Sequence, residues 1–112
     1  MSALLVFIGG GLGALLRYLA ALTVGGPLAT LTVNVAGSFA IGLLAATIPA
    51  EAGQVRLFLL TGLLGGFTTF SAFSLDALTL YQRGDVALAA AYILVSVMLS
   101  LAAAAAGLAL AR

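Results

Sequence analysis

The chain has 112 residues, of which 64% are hydrophobic and 6% are charged, and its formal net charge is +1. A soluble globular domain carries roughly 25% charged residues, so this composition excludes that class and indicates an integral membrane protein. Because the chain has no histidine or cysteine and only three carboxylates, it lacks the groups for a metal cluster or an acid–base pair. We therefore expect neither an enzyme nor a nucleic-acid-binding protein.

Four apolar segments are each long enough to cross a bilayer as a helix, which takes about 20 apolar residues. They cover residues 4–24, 29–48, 55–80 and 86–111, separated by breaks at 25–27, 49–54 and 82–85. Arg17 inside the first segment, with no basic stretch before it, argues against a cleaved signal peptide. We interpret residues 1–112 as one all-α transmembrane domain of four helices in the cell membrane.

The four arginines are almost evenly divided between the two ends of these segments. Arg56 and Arg112 belong to one end, and Arg83 and the nearer Arg17 belong to the other. The positive-inside rule therefore gives almost no preferred orientation. We expect insertion in both orientations and an antiparallel homodimer, with one fixed orientation as the alternative.

Small residues recur at helical spacing. Gly9 with Gly13, Gly62 with Gly66, and the alanine run 102–106 would let helices approach closely. Glycine and alanine are also common in membrane helices without any special contact, so an interface role stays open. Since four short helices leave little room for a sealed aqueous path, we expect a homo-oligomer.

Neutral polar residues form two stripes, in the second and fourth segments. Each set is spaced four residues apart and so occupies one helix face; the sets are Thr30, Asn34 and Ser38, and Tyr92, Ser96 and Ser100. Hydroxyls and amides can replace part of an ion's water shell without a fixed charge. The alternative for serine and threonine is a bond to a carbonyl of the same helix or to a neighbouring helix. Asn34 is costlier to bury, which favours a functional role.

The third segment contains "GGFTTFSAFS", residues 65–74, in the middle of an apolar run. Gly65 and Gly66 tolerate backbone conformations that other residues resist, and Thr68 or Thr69 can cap a following helix. We therefore expect a broken third helix, whose free carbonyls can hold a hard cation and whose free amides favour an anion.

Two aromatic residues follow at a spacing of three. Phe70 and Phe73 would present neighbouring rings, whose edges carry partial positive charge. Packing is the alternative for such a pair. The ionisable groups inside the segments are Asp76 and Arg17, which are the candidates for a proton relay.

Three blocks resemble a known family. The blocks "GGGLGALLRY" (9–18), "TLTVNVAGSFAIG" (30–42) and "GLLGGFTTFSAFS" (62–74) resemble the Fluc/CrcB family of fluoride channels over nearly the whole chain. This sequence departs from the usual family pattern at Ala29, Ala72 and Asp76, where glycine, threonine or serine, and glutamate are frequent.

The resemblance implies passive export of cytoplasmic fluoride by an antiparallel dimer with two pores and a central structural sodium ion. Phe70 and Phe73 would form an aromatic box, with Asn34 contacting or orienting fluoride beside them. Arg17 would draw anions into the vestibule. The polar track would consist of Thr30, Tyr92, Ser96 and Ser100, and the backbone carbonyls offered to sodium would be those of Gly65 and Thr68.

Two other functions are compatible with a short chain of four spans. A small multidrug-resistance transporter relies on a carboxylate in its first helix, whereas the first segment here contains Arg17 and no acid. A membrane assembly subunit without transport activity would explain the small residues, but it would not explain two polar stripes beside a broken helix.

Overall fold

The computed structural model describes residues 1–112 and contains only helices and their connections. Four helical spans are long and apolar enough to cross a membrane. They are Ser2–Thr23, Gly26–Thr47, Gly53–Gln82 and Val86–Leu110. The prediction of an all-α membrane protein with four spans is confirmed, and the observed spans differ from the predicted ones by only a few residues at each end.

The helices are named in chain order. They are α1 (Ser2–Thr23), α2 (Gly26–Thr47), α3 (Gly53–Arg56), a π-helical segment (Leu57–Leu64), α4 (Gly65–Phe67), α5 (Phe70–Gln82) and α6 (Val86–Leu110). The third span consists of α3, the π segment, α4 and α5. Gly25 and Gly84, in the connections before α2 and α6, have φ angles of 77° and 88° that favour glycine.

Arg56 stabilises the end of α2. Its Nη1 donates to the carbonyl oxygens of Ala45 and Ile48, at 3.3 and 2.8 Å. The last carbonyls of a helix lack partners within the helix and carry partial negative charge, so a guanidinium there supplies both donors and a favourable charge. This contact ties the start of the third span to the end of α2.

Glycine allows the backbones of neighbouring helices to touch. α1 packs along the third span, where a Cβ at Gly9 would lie 2.6 Å from the Phe58 carbonyl oxygen. α2 packs along α6, where a Cβ at Gly107 would lie 2.7 Å from the Leu43 nitrogen. Without a hydrophobic driving force in lipid, such close packing and interhelical hydrogen bonds hold helices together. The predicted small-residue pairs therefore act within one chain.

The third span departs from helical geometry at two residues. Thr68 has φ −87° and ψ 159°, and Thr69 has φ −152° and ψ 123°, after which α5 begins. The Thr69 side chain accepts a hydrogen bond from the Ala72 nitrogen at 3.1 Å, as an N-cap residue does. The extended residues thus lie after the glycine pair.

Gly65 and Gly66 are themselves helical, so the prediction that the glycine pair forms the break is wrong. Gly65 has φ −61° and ψ −39°, and both glycines belong to α4. A Cβ at Gly66 would collide with the carbonyl oxygen of Gly10 on α1. Close approach of two helices, and not conformational freedom, is what requires glycine at Gly66.

The chain by itself buries few residues: 16 of 112. The main buried apolar cluster joins α5 to α6 and comprises Phe73, Ala77, Leu80, Ala89 and Tyr92. Large apolar side chains are exposed on every span. Such surfaces are suited to lipid or to another apolar protein surface.

Candidate functional site

An open cavity of about 460 Å³ lies among α2, the third span and α6. Its polar lining consists of neutral groups and no charged side chain. The predicted residues that line it are Asn34, Ser38, Gly65, Thr68, Phe70, Phe73, Ser96 and Ser100. The fold therefore brings most of both polar stripes together with the aromatic pair.

The Asn34 amide is paired with the peptide group of Thr69. Its Nδ2 donates to the Thr69 carbonyl oxygen at 3.0 Å, and its Oδ1 accepts from the Thr69 nitrogen at 2.8 Å. Asn34 thus supplies the extended backbone with the partners that a continuous helix would have given it. An amide carries two N–H donors, so the second remains for a group in the cavity.

The aromatic rings form a row from the surface into the core. The centroids of Phe70 and Phe73 are 5.5 Å apart, and those of Phe73 and Tyr92 are 5.4 Å apart, all with tilted planes. Phe70 is 78% exposed, whereas Phe73 is 8% exposed. The buried ring is held by its neighbours, and the outer ring has no protein cover on most of its surface.

Ser96 has a buried hydroxyl without a protein partner. Ser96 is 5% exposed, and its Oγ makes no hydrogen bond to another protein group. Buried polar groups in native proteins nearly always have a partner, so this hydroxyl on the cavity wall is available to a group in the cavity. Ser100 lies on the same wall, four residues further along α6.

Thr30 and Tyr92, the first members of the two stripes, lie outside this cavity. Thr30 Oγ1 donates to Asp76 Oδ2 at 2.7 Å, and Tyr92 OH donates to the same oxygen at 3.2 Å. Each hydroxyl has one proton, and each of these protons is directed at the carboxylate. The polar track predicted from the resemblance is therefore divided between the cavity and a cluster centred on Asp76.

Asp76 is a residue whose contacts sequence reasoning did not foresee. The signal available in the sequence is its spacing, since it follows Phe73 by three residues on the face of α5 that carries Ala77 and Leu80. Its two partners come from α2 and α6. Only the packing of three helices brings them together.

Arg17 also lies outside the cavity lining. Its Nε donates to the carbonyl oxygen of Gly66 at 3.2 Å, and its side chain is half-buried between α1 and the third span. No group of three or more His, Cys, Asp or Glu side chains could hold a metal ion.

These features define a class of protein: a small multi-pass membrane protein with an open cavity among its helices, lined by apolar side chains and neutral hydrogen-bonding groups. The chain belongs to the CrcB family, since residues 4–108 match the family described as "CrcB-like protein, Camphor Resistance (CrcB)". It is a multi-pass protein of the cell membrane.

Curated relatives are similar over nearly their whole length. A protein of Paracoccus denitrificans (strain Pd 1222) is 55% identical, covering 96% of this chain and 91% of its own. One from Rhodopseudomonas palustris (strain BisB5) is 53% identical, covering 100% of this chain and 98% of its own. One from Agrobacterium fabrum (strain C58 / ATCC 33970) is 50% identical, and the match covers 96% of this chain and 94% of the relative. Each of these relatives is named "Fluoride-specific ion channel FluC".

Proposed function

We propose that this protein is a fluoride-selective channel that lets fluoride leave the cytoplasm passively, and that it is not an enzyme. The observation that carries the proposal is the cavity lined by neutral donors and two phenylalanine side chains, in a chain whose relatives bear the name of fluoride-specific channels. Asn34, Ser96 and Ser100 would donate hydrogen bonds to the ion, and Phe70 and Phe73 would present ring edges to it.

The chemistry of the lining suits a small, strongly hydrated anion. A selective path must replace the water that fluoride loses, yet it must bind the ion weakly enough to release it. A lysine or arginine in the cavity would hold the anion tightly, whereas hydroxyl, amide and ring-edge contacts are individually weak. The second N–H of Asn34 and the hydroxyl of Ser96 are donors without a protein partner, on two residues that line the cavity.

A second copy of the chain would complete the path. The cavity is open to the outside of the single chain, and Phe70 on its rim is 78% exposed. An antiparallel dimer, consistent with the balanced arginines, would cover this face and produce two equivalent pores related by a two-fold axis in the membrane plane. In this arrangement the extended residues Thr68 and Thr69 act as the break in each third helix.

The carbonyls around this break fit the sodium ion that the family resemblance implies. No protein donor is bonded to the Thr68 carbonyl oxygen, and Gly65 is exposed on the same open face. Hard cations prefer oxygen ligands, and the two chains would offer about four such carbonyls from Gly65 and Thr68. A sodium ion there would offset repulsion between anions in two nearby pores.

The proposed activity predicts rapid fluoride flux and almost no chloride flux. Purified protein in liposomes loaded with fluoride or chloride should release fluoride when a potassium ionophore balances the charge, because the lining is built of donors for a small anion. Halide-selective electrodes measure both rates.

A cationic dye in the same liposomes tests the multidrug-transporter alternative. Equal fluoride and chloride rates would contradict selectivity, and dye transport without fluoride flux would favour the transporter. Folded dimers that move none of the three would support a membrane assembly subunit.

Dual orientation predicts that a residue at one end of the bundle is accessible from both sides of the membrane. In this cysteine-free chain, Ser2→Cys should react with a membrane-impermeant maleimide at roughly half of the molecules from outside, and at the rest only after permeabilisation. Gln82→Cys, also exposed and at the opposite end, should give the same division.

A single fixed orientation would give a different pattern. Ser2→Cys and Gln82→Cys would then label from opposite sides, each almost completely. That result in a fully active population would overturn the antiparallel arrangement.

A further inference from the structure

The glycine stripe of α1 ends in an arginine. Gly9, Gly13 and Arg17 are spaced four residues apart and so lie on one face of the helix. The two glycines bring the α1 backbone against the third span, where a Cβ at Gly13 would lie 2.7 Å from the Phe67 nitrogen. One turn further on, Arg17 meets the end of α4, and its Nε reaches the Gly66 carbonyl oxygen at 3.2 Å.

The end of α4 has carbonyls that its own helix cannot satisfy. The backbone is extended at Thr68 and Thr69, so the carbonyls just before this point lose the donors that a continuous helix would supply. Arg17 supplies a donor to Gly66, and Asn34 supplies one to Thr69. The Thr68 carbonyl, between these two, has no protein donor.

Side chains therefore determine which carbonyls are free. A carbonyl that accepts a hydrogen bond from Arg17 is held in a fixed direction, and it offers less of its charge to a cation. Gly66 directly follows Gly65 and precedes Thr68 by two residues, so the bonded carbonyl lies in the same short stretch of backbone as the two proposed sodium ligands. Such outer contacts fix the geometry of metal ligands, and their loss typically weakens metal binding by roughly 10- to 100-fold.

We infer that Arg17 is a positioning residue for the cation site, acting through its Nε–H on the Gly66 carbonyl, and not mainly a charge that attracts anions. The inference rests on the proposed function, since it assumes a sodium ion on the neighbouring Thr68 carbonyls. The positive charge of Arg17 is unfavourable for a nearby cation, so the hydrogen bond and not the charge carries the effect.

Two substitutions separate the hydrogen bond from the charge. In Arg17→Gln, the amide nitrogen occupies the same place along the side chain as Nε, so the donor is kept and the charge is lost. In Arg17→Lys, a methylene group takes that place, so the charge is kept and the donor is moved. Arg17→Met, of similar length, removes both.

The primary measurement is sodium binding to the purified dimer in detergent. Elemental analysis after exchange into sodium-free buffer gives the sodium content, and thermal stability against sodium concentration gives the affinity. Arg17→Gln should bind sodium at least as tightly as the unmodified chain. Arg17→Lys and Arg17→Met should bind it roughly 10- to 100-fold more weakly.

A second measurement tests whether Arg17 acts by attracting anions through its charge. With sodium saturating, the ratio of the fluoride flux of Arg17→Gln to that of the unmodified chain should be the same at low and at high ionic strength. A charge that attracts anions would instead make the glutamine variant slower at low ionic strength and equal at high ionic strength, because salt screens the interaction. That pattern, with unchanged sodium affinity in the lysine variant, would overturn the inference.

The controls distinguish failure of the inference from failure of the proposed function. If the unmodified dimer conducts fluoride but binds no sodium, the proposed sodium site is wrong and the inference fails with it. If it binds sodium and the glutamine and methionine variants bind it equally, the inference alone fails. Should the lysine variant yield no dimer, the comparison of glutamine with methionine, both neutral, decides.

Discussion

Phe70→Ile is expected to reduce fluoride flux by about tenfold or more without loss of folded protein. The substitution keeps an apolar side chain and removes the ring edge, and a contact worth about 1.4 kcal/mol corresponds to a tenfold change. Because Phe70 is 78% exposed in the single chain, its removal leaves the core of the subunit intact. Fluoride efflux from liposomes, at equal amounts of dimer, measures the effect.

Phe7→Ile provides the matched control. Phe7 on α1 is also 78% exposed, and it does not line the cavity. Its replacement should leave flux unchanged. Phe73→Ile should reduce flux as well. It should also lose some stability, because the ring of Phe73 packs on that of Tyr92 with their centroids 5.4 Å apart. Normal flux in both Phe70→Ile and Phe73→Ile would assign these rings to packing.

Gly13→Ala is expected to destabilise the fold strongly. The added methyl group would collide with the Leu63 carbonyl and would lie 2.7 Å from the Phe67 nitrogen. Both are backbone atoms that no rotamer change can move, so α1 must separate from the third span. Overpacking of this kind costs about 1–3 kcal/mol, and a lower midpoint of thermal unfolding in detergent should report it.

Gly11→Ala is the same substitution two residues away. No atom outside the helix lies within 4 Å of the position that its Cβ would take. Alanine is a better helix former than glycine by about 1 kcal/mol, so this variant should be as stable as the unmodified chain or more so. Equal destabilisation of both variants would show that helix packing is not the reason for glycine at Gly13.

The neutral stripes show how far sequence spacing carries a site prediction. Spacing by four places Asn34 with Ser38 on one helix face and Ser96 with Ser100 on another, and in the structure all four residues line one cavity. It cannot tell where along the bundle the cavity ends. Thr30 continues the same helix face as Asn34, yet its hydroxyl donates to Asp76, 46 residues away in the chain.

The sequence by itself determined that the chain lies in a membrane, how many spans it has and which polar residues share a helix face. Apolar length and helical periodicity are local properties, which each segment has independently of the others. Only the tertiary structure decided which carbonyl Arg17 meets, since that partner lies 49 residues away and depends on how closely two backbones approach. It also decided the purpose of the glycines. A glycine permits either an unusual φ angle or a close contact, and at Gly66 the neighbouring helix, absent from the local sequence, selects the contact.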